Sequence, residues 1–275
     1  MTPASEEEGM QYKPEVQGGL TMSEKRTAIV TGAARGIGRA VVGKLLSRGH
    51  TVAGFDVDEQ ALQEMVSEMS HLGVFIPTRV DVSSETDIEA SVQSLQEQSG
   101  PITIVVNNVG GSMGISQEIE DITSDEWDSI IELNLKSTFL VTRNVVPLMK
   151  EAQWGRIVNM TSIAGRGRSY FGGTPYAAAK AGIIGFTRQG SRELGAHGIT
   201  INAVAPGVVM SGERIERYWH DRKSEEERQG FLRLVPLGRL GTNEEIAAVV
   251  DFLCSEESSY ITGAVIDANG GFWVG

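Results

Sequence analysis

Tyr176 and Lys180 stand four residues apart in the run GTPYAAAKAG (173–182). On a helix that spacing puts both side chains on one face, one turn apart. A free phenol has a pKa of about 10, too high for proton exchange at neutral pH, but a neighbouring ammonium favours the phenolate and lowers it. The small, apolar residues around the pair suit a buried site. Such a pair can pass a proton to or from an oxygen on a bound molecule.

A second cluster lies at Thr31-Gly32-Ala33-Ala34-Arg35-Gly36-Ile37-Gly38, after the β-branched run TAIVTG (27–32) and at the start of an amphipathic helix over 37–49. Glycines there permit a sharp turn, close approach of a pyrophosphate and tight helix–strand packing. The free N–H groups of the helix start attract phosphate. Asp56 ends the next β-rich run, TVAGFDV (51–57), twenty residues after Gly36. A carboxylate in that place accepts hydrogen bonds from an adenosine ribose and repels a 2′-phosphate, and Asp58 adds negative charge nearby. This favours NAD. NADP stays open as the alternative, because Arg35 in the same loop could pair with a phosphate.

Positioning these residues requires alternating strands and helices. Further strand-like runs are VFIPTRVDV (74–82), ITIVVNN (102–108), GRIVNMTS (155–162), ITINAVAPG (199–207) and GAVIDANGG (263–271). Helical periodicity covers 58–73, a stretch up to about 99, one long helix over 124–150, then 174–198 and 242–255, the last with a capping-box start at Thr242 and Glu245. That alternation predicts a doubly wound α/β domain, a parallel sheet covered on both faces. The polar, acidic residues 1–24 read as a flexible arm ahead of a single domain over 25–275.

Composition narrows the partners. A net charge of −12 argues against nucleic acid, which needs a clustered basic surface. No apolar run reaches membrane-spanning length. One cysteine, Cys254, precludes an intramolecular disulfide and reads as a small core hydrophobe. The histidines at 50, 71, 197 and 220 have no metal-ligand spacing, so no metal site is expected. The N-terminus MTPASEEEG is not a signal peptide, which leaves a cytoplasmic location by default.

Taken in order, TGxxxGxG, Asn107-Asn108-Val109-Gly110, Asn134, Ser162, YAAAK (176–180), NAVAPG (202–207) and the terminal ITGAVIDANGG resemble the short-chain dehydrogenase/reductase family over residues 25–275. The look is nearest to its 3-oxoacyl reductases and small secondary-alcohol dehydrogenases. The resemblance implies a Rossmann-type sheet of seven parallel strands. It implies that Asn134, Ser162, Tyr176 and Lys180 form the catalytic set, Ser162 holding the substrate oxygen, Lys180 gripping the nicotinamide ribose and Asn134 holding a water of a proton relay. It places the cofactor on Gly32, Arg35, Gly36, Ile37, Gly38, Asp56 and Gly110. Asp81 and Val82 would line the adenine pocket, and Asn108 would brace the sheet. Pro206, Gly207, Val209 and Ser211 would hold the nicotinamide end. Substrate would meet Ser112, Met113, Tyr170, Phe171, Met210, Tyr218 and Trp219, under a helical lid at about 208–235; these large side chains hint at a bulky or aromatic substrate. The resemblance also implies a homotetramer with interfaces on the helices over 124–150 and 174–198, and suggests that Phe272 and Trp273 reach a neighbouring subunit. Two departures stand out: Val109 replaces the family's usual alanine, and fourteen residues separate Ser162 from Tyr176, one more than usual.

Three functions follow. The leading one is NAD-linked interconversion of a small-molecule secondary alcohol and a ketone. The alternative is NADPH-linked reduction of 3-oxoacyl groups on a carrier protein, which the acidic surface disfavours because acyl carriers are themselves acidic. The third is a non-catalytic dinucleotide-binding protein.

Overall fold

The computed structural model describes residues 24–275 except 116, 117, 171 and 222, with backbone alone at 213, 214 and 218. The arm over 1–24 lies outside the described residues, save Glu24. Seven strands, β1 (Thr27–Thr31), β2 (Thr51–Asp56), β3 (Phe75–Arg79), β4 (Ile102–Asn107), β5 (Gly155–Met160), β6 (Ile199–Pro206) and β7 (Val265–Ala268), form one sheet in the order β3-β2-β1-β4-β5-β6-β7. Every pairing is parallel. Between β1 and β4 the chain reverses its direction of travel across the sheet, and there the carboxyl ends of the strands open a crevice. Pro77 lacks an N–H and is tolerated in β3 because that strand is an edge.

Strand residues alternate between two covering layers. Ala28 and Val30 face α1 (Gly36–Ser47), α2 (Glu59–Met69) and α9 (Asn243–Cys254), where Leu45, Leu62 and Val250 complete one core. Ile29 faces the other way, toward α3 (Glu85–Ser99), α5 (Ser137–Ala152) and α6 (Thr174–Leu194), with Ile88, Val141 and Leu194 in the second core. Burying a leucine of this kind stabilises the fold by about 1.5–3 kcal/mol. Cys254 lies in the first core, and burial pushes its thiol pKa up. The capping box expected at Thr242 and Glu245 is present.

The single helix expected over 124–150 is interrupted. It consists of α4 (Ser124–Ile131), a π-helical turn over Glu132–Lys136, and α5. The widened turn surrounds Asn134, whose side-chain amide donates to the Ile130 carbonyl at 2.9 Å. Thr138 Oγ1 donates to the Asn134 carbonyl at 2.9 Å and Ser137 Oγ to that of Leu133 at 2.6 Å, so side chains serve carbonyls that the altered helix leaves available. The helix begun at Thr174 ends at Leu194, three residues of 3-10 helix carry it to His197, and the last strand is shorter than its motif. The lid segment contains α7 (Glu213–Asp221) and α8 (Glu225–Leu232). Among the described residues no helix is long and apolar enough to cross a membrane, and no group of metal-ligating side chains forms.

Arg48, at the end of α1, locks onto Asp251 of α9. Its Nε donates to both carboxylate oxygens at 3.2 and 3.1 Å, and an Nη donates to one of them at 2.8 Å. Asp251 is buried, whereas Arg48 is half-exposed and partly screened by water. Arg48→Ala strands the buried carboxylate and should lower unfolding free energy by about 1–3 kcal/mol, read as an earlier urea midpoint.

Candidate active site

The crevice is a cleft of about 1020 Å³. The ends of six strands line it, through Gly32, Asp56, Val80, Asn108, Met160 and Pro206. Of the residues singled out from the sequence, Arg35, Gly36, Ile37, Asp81, Val82, Gly110, Ser112, Ser162, Tyr170, Tyr176, Lys180, Gly207, Val209 and Ser211 line the same cleft. Gly38 and Asn134 stand one layer behind it.

At one end, the glycine turn runs into α1 with no side-chain cap and no acid in the first turn. Its N–H groups therefore face the cleft without an internal anion to satisfy them. Gly38 cannot carry a side chain: a methyl there would lie 2.0 Å from the Gly32 carbonyl and 2.7 Å from Asn108 Nδ2. Asn108 holds the turn in place, its Nδ2 donating to the Thr31 and Gly32 carbonyls at 3.0 and 3.1 Å and its N–H to Thr31 Oγ1 at 2.9 Å. From the far side the Ser211 backbone approaches Gly36 closely.

Asp56 sits at the tip of β2. Its two oxygens accept the N–H groups of Ala34 (3.0 Å) and Asp58 (3.1 Å), which fix the carboxylate beside the glycine turn. Asp58 caps α2 and pairs with Arg35, so the loop arginine is already engaged. Asp81 accepts both the N–H and the hydroxyl of Ser83, and these bonds hold its pKa below the ordinary carboxylate value. Shape, free N–H donors and a fixed ribose-height carboxylate together fit a dinucleotide.

The other end holds the proton-transfer pair. Lys180 is fully buried, and its Nζ donates to the Met160 carbonyl at the tip of β5 (2.9 Å) and stands 5.6 Å from the centre of the Tyr176 ring. Loss of water lowers its pKa to about 8. Asn134 clamps Gly111, accepting its N–H at Oδ1 and donating to its carbonyl from Nδ2, both at 3.0 Å. Gly110 fills the gap between the two side chains: a methyl there would lie 2.5 Å from Asn134 Oδ1 and 2.8 Å from Lys180 Nζ. Ser162 Oγ accepts the Ala164 N–H at 3.1 Å, which leaves its hydroxyl proton to donate.

The expected substrate residues are less unified. Ser112 and Tyr170 line the cleft, but Met113 is exposed in a left-handed turn and is not part of the lining. Trp219 is buried in the lid's own small core with Phe231 and Val235, and Met210 packs against that core. Both serve the lid rather than the cleft wall. Phe171 and the Tyr218 side chain lie outside the described residues. Phe272 and Trp273 make contacts within their own chain. Sequence reasoning gave no separate role to Thr31, named only within the glycine motif, or to Thr161. Thr31 Oγ1 receives two loop N–H groups, and Thr161 Oγ1 donates to the Lys180 carbonyl at 2.7 Å. Their position at strand ends, next to the motifs, was the available signal.

A family model described as enoyl-(acyl carrier protein) reductase matches residues 32–273. The 3-oxoacyl-(acyl-carrier-protein) reductase of Pseudomonas aeruginosa is 38% identical over 252 residues, covering 90% of this chain and 98% of that protein. The Thermotoga maritima protein of the same name is 38% identical over 251 residues, with 90% and 98% covered. The crystal structure of levodione reductase superposes with a TM-score of 0.83 at 33% identity, covering 90% of this chain and 96% of that one. The chain belongs to the short-chain dehydrogenase/reductase family, oxidoreductases that bind a nicotinamide dinucleotide.

Burying the Lys180 ammonium has a stability signature. Its folded pKa is depressed to about 8 from 10.5, so the folded state is penalised at neutral pH and the penalty is relieved progressively as pH rises from about 8 to 10.5. Lys180→Met should therefore stabilise the protein by on the order of 1–3 kcal/mol at pH 7, with the gain shrinking as pH rises through 8 toward 10.5. Thermal melts of both proteins across that range check it; a variant less stable at pH 7 contradicts the assigned burial cost.

Proposed function

We propose that this protein is an oxidoreductase that interconverts a secondary alcohol and a ketone, with NAD(H) as its coenzyme. The observation that carries the coenzyme assignment is Asp56, anchored by two backbone N–H groups at the tip of β2. A carboxylate there favours a free ribose diol and opposes a 2′-phosphate. Arg35 does not offset it, being paired with Asp58.

The nicotinamide ring supplies or accepts the hydride. In reduction, the Tyr176 phenol donates its proton to the carbonyl oxygen, and in oxidation the phenolate takes the proton of the hydroxyl. Ser162 keeps its proton, donates a hydrogen bond to the same oxygen and holds it against Tyr176. Lys180 is mostly charged at neutral pH and favours the phenolate. Asn134 acts through the Gly111 backbone, keeping the loop beside Lys180 in place. The same reading expects a homotetramer through the α4–α5 and α6 faces, where Trp127 and Phe139 are exposed, and a cytoplasmic enzyme.

A second reading concerns the substrate. The relatives named for 3-oxoacyl reduction favour a 3-oxoacyl thioester over a simple ketone, at 38% identity. The chemistry at Tyr176 is the same in both.

Assays with a panel of ketones, secondary alcohols and 3-oxoacyl thioesters, each with NAD(H) and NADP(H), separate these readings. The wild type should prefer NAD(H), and Asp56→Ser should shift the NAD/NADP ratio of kcat/KM at least about tenfold toward NADP. Wild-type preference for NADP(H) contradicts the coenzyme assignment. Tyr176→Phe should lower kcat about 100- to 10,000-fold while dinucleotide binding, followed by fluorescence, persists; full activity in that variant rejects the proton-transfer role.

A further inference from the structure

Three stretches far apart in sequence meet at Tyr170: the loop over 163–173, the lid, and the C-terminal segment beyond β7. The Tyr170 ring stands edge-on to Phe231 of α8, with centroids 5.7 Å apart, and to Phe272, at 5.0 Å. Phe231 and Phe272 stack on each other at 5.3 Å. Tyr170 also lines the cleft that holds Ser162 and Tyr176.

The C-terminal segment is folded so as to deliver Phe272 to this point. Asn269 accepts the N–H groups of Gly271 (3.0 Å) and Trp273 (3.4 Å), and its amide donates to the Trp273 carbonyl (3.0 Å), closing a hook over 269–275. The hook grips the loop at two more points. A methyl on Gly167 would lie 2.8 Å from the Trp273 indole, so only a bare backbone lets the two meet. Arg166 donates to Asp267, at the base of the hook, at 2.9 Å, and to the terminal Gly275 carbonyl.

We propose that this C-terminal hook is a positioning element for the substrate wall, with Phe272 the residue through which it holds Tyr170 against the cleft. The inference rests on the proposed carbonyl–alcohol chemistry for what the wall contacts, but not for the contacts of the wall itself. The loop's first residues, Ile163 and Ala164, are buried, whereas Tyr170 is held by the Phe231 and Phe272 rings and by the Arg168 guanidinium 5.2 Å from its ring centre, so removing the Phe272 ring loosens Tyr170 at the cleft. In the intact wall the Tyr170 ring would meet a flat or apolar flank of the substrate, next to the reacting carbonyl.

Phe272→Ala tests this in the full-length protein. The KM for a carbonyl substrate should rise about five- to tenfold, the KM for the dinucleotide should stay within about twofold, and Phe272→Tyr, which keeps the ring, should return the carbonyl KM to the wild-type value. Trypsin provides a readout independent of turnover, because Arg166 and Arg168 lie in the loop. Phe272→Ala should be cut there faster than the wild type at temperatures well below melting. An unchanged carbonyl KM, a matching loss in kcat and both KM values, or equal cleavage rates would overturn the proposal. If the wild type turns over no alcohol or ketone, the proposed function fails, and the cleavage comparison alone decides the hook.

Discussion

An ammonium group removed from water must be compensated by its surroundings, and in this protein the surroundings of Lys180 organise the site. Its Nζ reaches the Met160 carbonyl at the end of β5. Gly110 is bare because Lys180 and Asn134 occupy the space a side chain would need. Thr161 fixes the Lys180 carbonyl, and the π-helical turn brings Asn134 into contact with Gly111. The tip of β5, the loop at Gly110 and Gly111, the π-helical turn and α6, remote in sequence, therefore meet around Lys180. The cost of burying it is stability spent to place a positive charge beside a phenol, a trade that recurs where function needs a perturbed group.

The dinucleotide end obeys a different constraint, close approach. A parallel sheet with β1 and β4 adjacent brings six strand tips to one edge, and the crevice appears where the chain changes its direction across the sheet. The glycine turn is tight enough that Gly38 touches the Gly32 carbonyl. Backbone donors hold the Asp56 carboxylate at the rim, and Arg35 is drawn to Asp58. The two carboxylates at the rim are thus fixed by hydrogen bonds from backbone, whereas Arg35 is held only by an exposed side-chain pair.

The lid follows a third logic. Its helices form a small core, with Trp219 and Phe231 at 5.6 Å, against which Tyr170 and Phe272 pack from outside the lid.

The sequence alone determined the alternation of strands and helices, the glycine turn, Asp56 and the Tyr176–Lys180 pair. Each is a local signal: apolar periodicity, turn chemistry or helical spacing is written in neighbouring residues. The seven-stranded parallel sheet agrees with that reading. The interruption of the helix at Asn134 had no local signal; what accompanies it is a hydrogen-bonded contact with Gly111, twenty-three residues away. Large residues such as Trp219 and Met210 read equally well as cleft wall or core, and only their packing assigned them to the lid. Arg35 likewise read as a phosphate partner or a solvated side chain, and its pairing with Asp58 depended on how the glycine turn and α2 come together. What meets across space depends on how rigid elements pack, and packing is a property of the whole chain.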